Sequence, residues 1–214
     1  GLIMSGVGSA TMLPSCKGDG RELVSALLKE LGLAENEVEK LETTPYPELV
    51  RAYTKVSPAI AAKGGYIGGT PLVNDYYKGS PLEYGLRDEA RNIPVMIGSV
   101  FGEFSFAPAA FNKKKLTGEA ASDIIRKDYG EHTEEMIQAF AKAYPGKYPT
   151  DLLFVDRAMR QPSKQLAALH AEKGNAGTYL YDFTLEFPFM HGKIAWHCSD
   201  IPFFFHNTDR VEIC

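Results

Sequence analysis

The chain has 214 residues, a formal charge of −4 at neutral pH and 44% hydrophobic residues. These values describe an ordinary soluble globular chain, large enough for one substantial core. They exclude an electrostatic nucleic-acid binder: no patch joins clustered Lys/Arg with aromatics, and Lys113-Lys114-Lys115, the single basic run, reads as a solvated loop. No apolar run approaches membrane-spanning length, and the first residues lack the basic leader of a signal peptide. The three cysteines, Cys16, Cys198 and Cys214, are too sparse for a disulfide framework and favour a reducing, cytoplasmic compartment.

Taken in order, Ile3-Met4 closes a short apolar strand. Asp19-Gly-Arg-Glu22 has capping-box spacing, and Leu23, Leu27, Leu28 and Leu31 then recur at helical intervals up to Gly32. Val38 and Leu41 suit a short acidic helix, and Pro47 to Tyr53 opens another. Gly64-Gly65 and Gly68-Gly69 read as loop glycines. Ser80-Pro-Leu-Glu83 places a cap, a first-turn proline and an acid in register, predicting a helix to about Asn92. The apolar run Ile93 to Val100 follows as a strand. Helices are expected over 119–129, 133–144, 151–159 and 162–173, the last closed by Gly174. Thr178 to Thr184 alternates as a strand. Strands alternating with helical stretches predict an α/β chain, with many helices and a small, mostly parallel sheet. No repeat or linker divides it, so one domain over 1–214 is expected.

The segment after the last strand, Ala195-Trp-His-Cys-Ser-Asp-Ile-Pro-Phe-Phe-Phe-His-Asn207, carries the chemistry. A histidine in a loop just beyond a strand, flanked by aromatics, suits a general base: it is held rigidly and partly shielded from water. A histidine in apolar surroundings is also commonly a packed, hydrogen-bonded residue, and spacing leaves both readings open. Cys198 adjoins His197, but neighbouring side chains in an extended loop point apart, so a Cys–His nucleophile is not expected. His191, His197, Cys198 and His206 show no zinc-type pairing, so no metal is expected. No P-loop or dinucleotide fingerprint occurs, so no cofactor is expected.

Tyr179-Leu-Tyr-Asp-Phe183, His191-Gly192 and Ala195 to Phe205 together resemble the closing part of type-B carboxylesterases, the α/β-hydrolases that include para-nitrobenzyl esterases and cholinesterases. The resemblance implies that His197 is the triad base, followed by Asp200 and the run Ile201-Pro202-Phe203. Ile93-Pro-Val-Met-Ile-Gly-Ser-Val-Phe-Gly-Glu-Phe104 is similar to the family's strand and acid loop, with Glu103 as the triad acid. The family commonly has Asp where this chain has Gly102. Leu2-Ile-Met-Ser-Gly6 resembles the strand and Ser-Gly turn that follow the nucleophile elbow. The resemblance implies the last strands of an α/β-hydrolase sheet plus helical cap inserts: a C-terminal fragment of a catalytic domain.

No serine lies in Gly-x-Ser-x-Gly, the sharp turn that exposes the nucleophile in this fold; Gly6-Val-Gly-Ser-Ala10 has the wrong spacing. The family's early Gly-Gly oxyanion loop is also missing. The implied function is therefore a carboxylic ester hydrolase acting on a small-molecule ester, with His197 and Glu103 from this chain and the serine from elsewhere. The isolated chain is expected to be inactive. Trp196 and Phe203 are candidate walls of the substrate pocket. A non-catalytic interaction scaffold of the same family is the alternative. An apolar first strand without its neighbour predicts self-association through an exposed sheet edge.

Overall fold

The computed structural model describes residues 1–7, 18–69 and 71–212. Cys16 and Cys214, and the Gly8-Ser9-Ala10 part of the near-miss motif, lie outside the described residues. The chain divides into two compact units, one of residues 10–84 and one of residues 1–9 with 85–214.

The smaller unit is helical. In α1 (Arg21–Glu30) the buried residues are Leu23, Leu27 and Leu28. This is the stripe that the spacing predicts, and it packs on α3 (Tyr46–Ala61), beyond the single turn α2 (Lys40–Thr43). Leu23, Leu27, Ala52 and Ile60 form the core. The anticipated cap is not used: Gly20 stands at the N-cap with φ 84°, and Asp19 instead accepts from the Arg21 amide at 3.2 Å. α3 runs past Tyr53 and through Pro58 to Ala61. A proline so near the C-terminal end removes one backbone hydrogen bond and leaves the rest of the helix intact. The helix expected over 81–92 stops after one turn, α4 (Pro81–Tyr84), and a 3-10 turn at Asp88–Ala90 follows. Gly85, at φ 83°, takes the left-handed conformation that ends a helix.

The larger unit holds the sheet. β1 (Leu2–Met4), β2 (Val95–Val100) and β3 (Thr178–Phe183) lie side by side in that order, all parallel. Met4 stands opposite Gly98, and Gly98 opposite Tyr181. Parallel neighbours need long crossovers, and α5 (Gly118–Tyr129), α6 (Thr133–Ala143) and α7 (Arg160–Lys173) fill the one between β2 and β3. Asp156 accepts from the Met159 and Arg160 amides at the start of α7. α7 packs on β2 and β3, where buried His170 bonds Thr178 Oγ1 at 2.6 Å and the Ile93 carbonyl at 3.1 Å. Both ring nitrogens are thereby used, which makes His170 a packed structural histidine. Residues 151–159, expected as helix, form a 3-10 turn (Pro149–Phe154) and then an irregular approach to α7.

The core joins Val100 and Phe101 at the end of β2 to Ile125, Phe140, Leu152, Phe187, Ile194 and Ala195. Burying each phenylalanine contributes about 1.5–3 kcal/mol. Phe187 and Ile194 belong to a small antiparallel pair, β4 (Glu186–Phe187) and β5 (Lys193–Ile194), that periodicity did not reveal; two residues are too few to show alternation. α8 (Ile201–Phe204) is a single turn after the histidine loop. The chain leaves the C-terminal ends of β2 and β3 on the same side of the sheet, where open α/β sheets build their sites.

Candidate active site

Glu103 lies three residues past β2, and His197 three past β5. The His197 Nδ1 is 2.7 Å from Glu103 Oε2, and the His197 backbone N–H donates to the Glu103 carbonyl at 2.6 Å. Side chain and main chain thus hold the same pair. The carboxylate sets the tautomer: Nδ1 carries the proton, and Nε2 is left as an acceptor. The Glu103 side chain is 1% exposed and that of His197 30%, so the acid is sealed while the imidazole reaches solvent.

A buried carboxylate needs donors. Besides His197, Glu103 Oε1 accepts from the Val100 amide at 3.0 Å and from Ser5 Oγ at 2.6 Å. Ser5 follows β1 at φ 47°, a left-handed conformation that turns its hydroxyl toward the acid. Ser5 appeared in the sequence only as part of a Ser-Gly turn. The signal was a polar residue directly after an apolar strand, but its partner is 98 residues away. Gly102 has a local explanation too. A Cβ there would lie 2.5 Å from Ile194 Cδ1 and 3.1 Å from the Ala195 carbonyl, while its amide donates to Ala195 at 2.9 Å. Glycine lets the acid loop press against the strand leading to His197.

The histidine loop is tied down from behind. Ser199 N–H donates to the Trp196 carbonyl at 2.9 Å, and Ser199 Oγ accepts from Trp196 N–H at 3.1 Å. Buried Asp200 accepts from the Tyr181 hydroxyl on β3 at 2.9 Å. Burial, reinforced by Asp200, pushes the Tyr181 phenol far above its ordinary range, so it remains a donor. Its ring lies across Gly98, where a Cβ would come within 2.3 Å. Cys198 is exposed at φ 72°. Partial desolvation of the thiol, then the charges of Asp200 and Glu103, raise its pKa, the opposite of what an activated nucleophile needs.

The two aromatic candidates, Trp196 and Phe203, both pack on other rings. Trp196 packs on Phe187 at 4.8 Å between ring centroids and on Phe189 at 5.7 Å. Phe203 packs on Phe183 at 5.1 Å and on Phe187 at 6.3 Å. The ring against the His197 imidazole belongs to Phe104, at 5.3 Å, a residue the sequence did not single out for this place.

A second charged cluster lies apart from this pair. Lys113, almost fully buried, donates to Asp151 at 2.8 and 3.1 Å and to Glu186 at 2.8 Å. Burial pushes the Asp151 carboxyl up, against the downward pull of Lys113. This cluster joins the 3-10 turn at Lys113–Lys115 to the Pro149–Phe154 turn and β4. Among the described residues, no group of three or more His, Cys, Asp or Glu could hold a metal ion, and no helix is long and apolar enough to cross a membrane.

Parallel strands, intervening helices and a buried carboxylate–imidazole contact beyond their C-terminal ends make this a partial α/β-hydrolase fold. No protein-family model and no curated protein matches the chain. Solved structures do. An esterase from anaerobic Clostridium hathewayi, described as able to hydrolyze aliphatic aromatic polyesters, is 50% identical over 99% of this chain, with a TM-score of 0.91. A thermophilic PNB esterase is 19% identical over 99% of this chain, with a TM-score of 0.53. The carboxylesterase of Geobacillus stearothermophilus is 24% identical over the whole chain, with a TM-score of 0.50. The last two support the fold alone. In each case the chain spans 42% of the length of the matched protein. Over nearly its whole length the chain is similar to part of these esterases, and it shares their α/β-hydrolase fold.

Proposed function

We propose that this chain supplies the general base and the acid of a serine carboxylesterase, with the nucleophilic serine contributed from outside these 214 residues. The observation that carries this reading is the 2.7 Å bond between His197 Nδ1 and a fully buried Glu103 carboxylate, which leaves Nε2 free to accept a proton. In the reaction Nε2 takes the serine proton as the hydroxyl attacks the ester carbonyl, then returns it to the departing alcohol. Glu103 orients the imidazole and stabilises the imidazolium formed in between. Ser5 and the Val100 amide hold the carboxylate for that task. Support for an ester as substrate comes from the 50% identical Clostridium hathewayi esterase. The retained His197–Glu103 bond weighs against the non-catalytic scaffold.

The test is hydrolysis of p-nitrophenyl butyrate. The isolated chain should give no rate above that of its His197→Ala variant. In the enzyme that carries this chain, His197→Ala should lower kcat by about 10⁴-fold or more. Full activity in that variant would overturn the assignment. The pair can also be read without turnover: the hydrogen-bonded Nδ1 proton should give a low-field imidazole resonance that Glu103→Ala abolishes.

A further inference from the structure

We propose that Lys193 is a positioning residue of the reaction: its ammonium holds the segment after Glu103 to the strand that leads to His197, and so keeps acid and base in register. The inference rests on Glu103 and His197 being that acid and base. Two segments meet at the site, 102–107 past β2 and 193–197 from β5 onward. The Gly102 amide donates to the Ala195 carbonyl, and the His197 amide to the Glu103 carbonyl. These bonds fasten the acid loop up to Glu103. Beyond it, Lys193 Nζ donates to the Ser105 carbonyl and, at 2.8 Å, to the Ala107 carbonyl. Glu103 is thereby gripped on both flanks.

A lysine is unfavourable in this place unless its donors are used. Lys193 is 8% exposed, and among the described residues it has no carboxylate partner. Lys113, equally buried, is instead matched by Asp151 and Glu186. Burial lowers the Lys193 pKa, as it does for an ammonium held away from water. An apolar side chain would fill the position without that penalty, but it could not donate to two carbonyls. Residues 105–107 lie outside any strand or helix, so their carbonyls have no ladder to join. A charged donor bonds them more strongly than a neutral one. The acid must stay within reach of Nδ1, now 2.7 Å away, and a misplacement of about 1 Å can cost about 100-fold in rate.

The experiment compares Lys193→Met, Lys193→Gln and Lys193→Arg in the enzyme that carries this chain, with p-nitrophenyl butyrate as substrate. Lys193→Met should lower kcat by about 10- to 100-fold and leave KM within about twofold, because the loop acts on the triad rather than on substrate binding. Lys193→Arg keeps a cation with several donors, and a cavity of about 30 Å³ lined by Lys193 leaves space for it, so it should restore most of the rate. Lys193→Gln, with a neutral donor, should fall between the two, and it serves if Lys193→Met does not fold. In the 214-residue chain the low-field Nδ1 proton of His197 should persist in Lys193→Arg and shift or broaden in the neutral variants, whose folding is checked by the unfolding midpoint of Trp196 fluorescence. A wild-type kcat in the neutral variants, a loss that Lys193→Arg does not reduce, or an unmoved Nδ1 resonance in folded neutral variants would each overturn the proposal. Failure of the His197–Glu103 reading looks different: the wild-type chain would itself lack that resonance, and His197→Ala would keep its activity.

Discussion

Ser5 gives the sharpest test of how the acid is held. Its hydroxyl donates to buried Glu103 at 2.6 Å, one of three donors on that carboxylate. A hydrogen bond to a charged, buried acceptor contributes about 1.5–3 kcal/mol. Ser5→Ala removes it and keeps the left-handed φ of 47°. Such a conformation costs a residue with a Cβ about 1–2 kcal/mol, and glycine avoids most of that. Ser5→Ala should therefore lower the unfolding free energy by about 1.5–3 kcal/mol, whereas Ser5→Gly should lose about 1 kcal/mol less. Urea unfolding followed by fluorescence of Trp196, the chain's single tryptophan and the neighbour of His197, reads the unit that holds the site. A wild-type midpoint for Ser5→Ala, or a Ser5→Gly less stable than Ser5→Ala, would refute this role for the Ser5 hydroxyl.

Other outcomes follow from the same geometry. Lys113→Met leaves Asp151, 1% exposed, without its cation, and should cost about 3–5 kcal/mol. A double-mutant cycle with Asp151→Asn should show strong coupling, and additive losses would show that the two charges do not act as a pair. Because the Cys198 thiol titrates above its ordinary range, its thiolate is scarce at mildly alkaline pH and appears only as pH rises further. In a Cys16→Ser/Cys214→Ser background, iodoacetamide should alkylate it more slowly than free cysteine at the same pH; an equal or faster rate contradicts the shift. At the free edge of the described sheet, exposed Leu2 shares a face with exposed Met96 and Tyr179. Sedimentation velocity should show self-association that weakens in Leu2→Lys, and a compact monomer at high concentration would count against it.

Much of both units was legible from local pattern. The strands at 93–100 and 178–184 announced themselves by β-branched, aromatic and alternating residues, and α1 by leucines at helical spacing. Those signals act within a few residues of one another, which is why they survive in a bare sequence. The elements that were missed are those set from a distance. β4 and β5 are two residues each and exist because they pair with one another. The 151–159 segment has helical content in its residues, yet Asp151 is drawn to Lys113 and Asp156 to the start of α7.

The site divides along the same line. His197 and Glu103 were identifiable as candidates in a recognisable family order, Glu103 just past the readable strand β2 and His197 past β5, which the pattern did not reveal. Their bond joins positions 94 apart, and the Ser5 bond positions 98 apart, so no local regularity could display either. The aromatic rings show it most plainly. Position in the histidine segment made Trp196 and Phe203 candidate pocket walls; folding packs both on Phe187 and also brings Phe104 against the imidazole. Local sequence dictates which residues can form a strand, a cap or a base. Which ring finally faces the His197 imidazole depends on how separated segments fill one core, because packing is a condition on all of them at once.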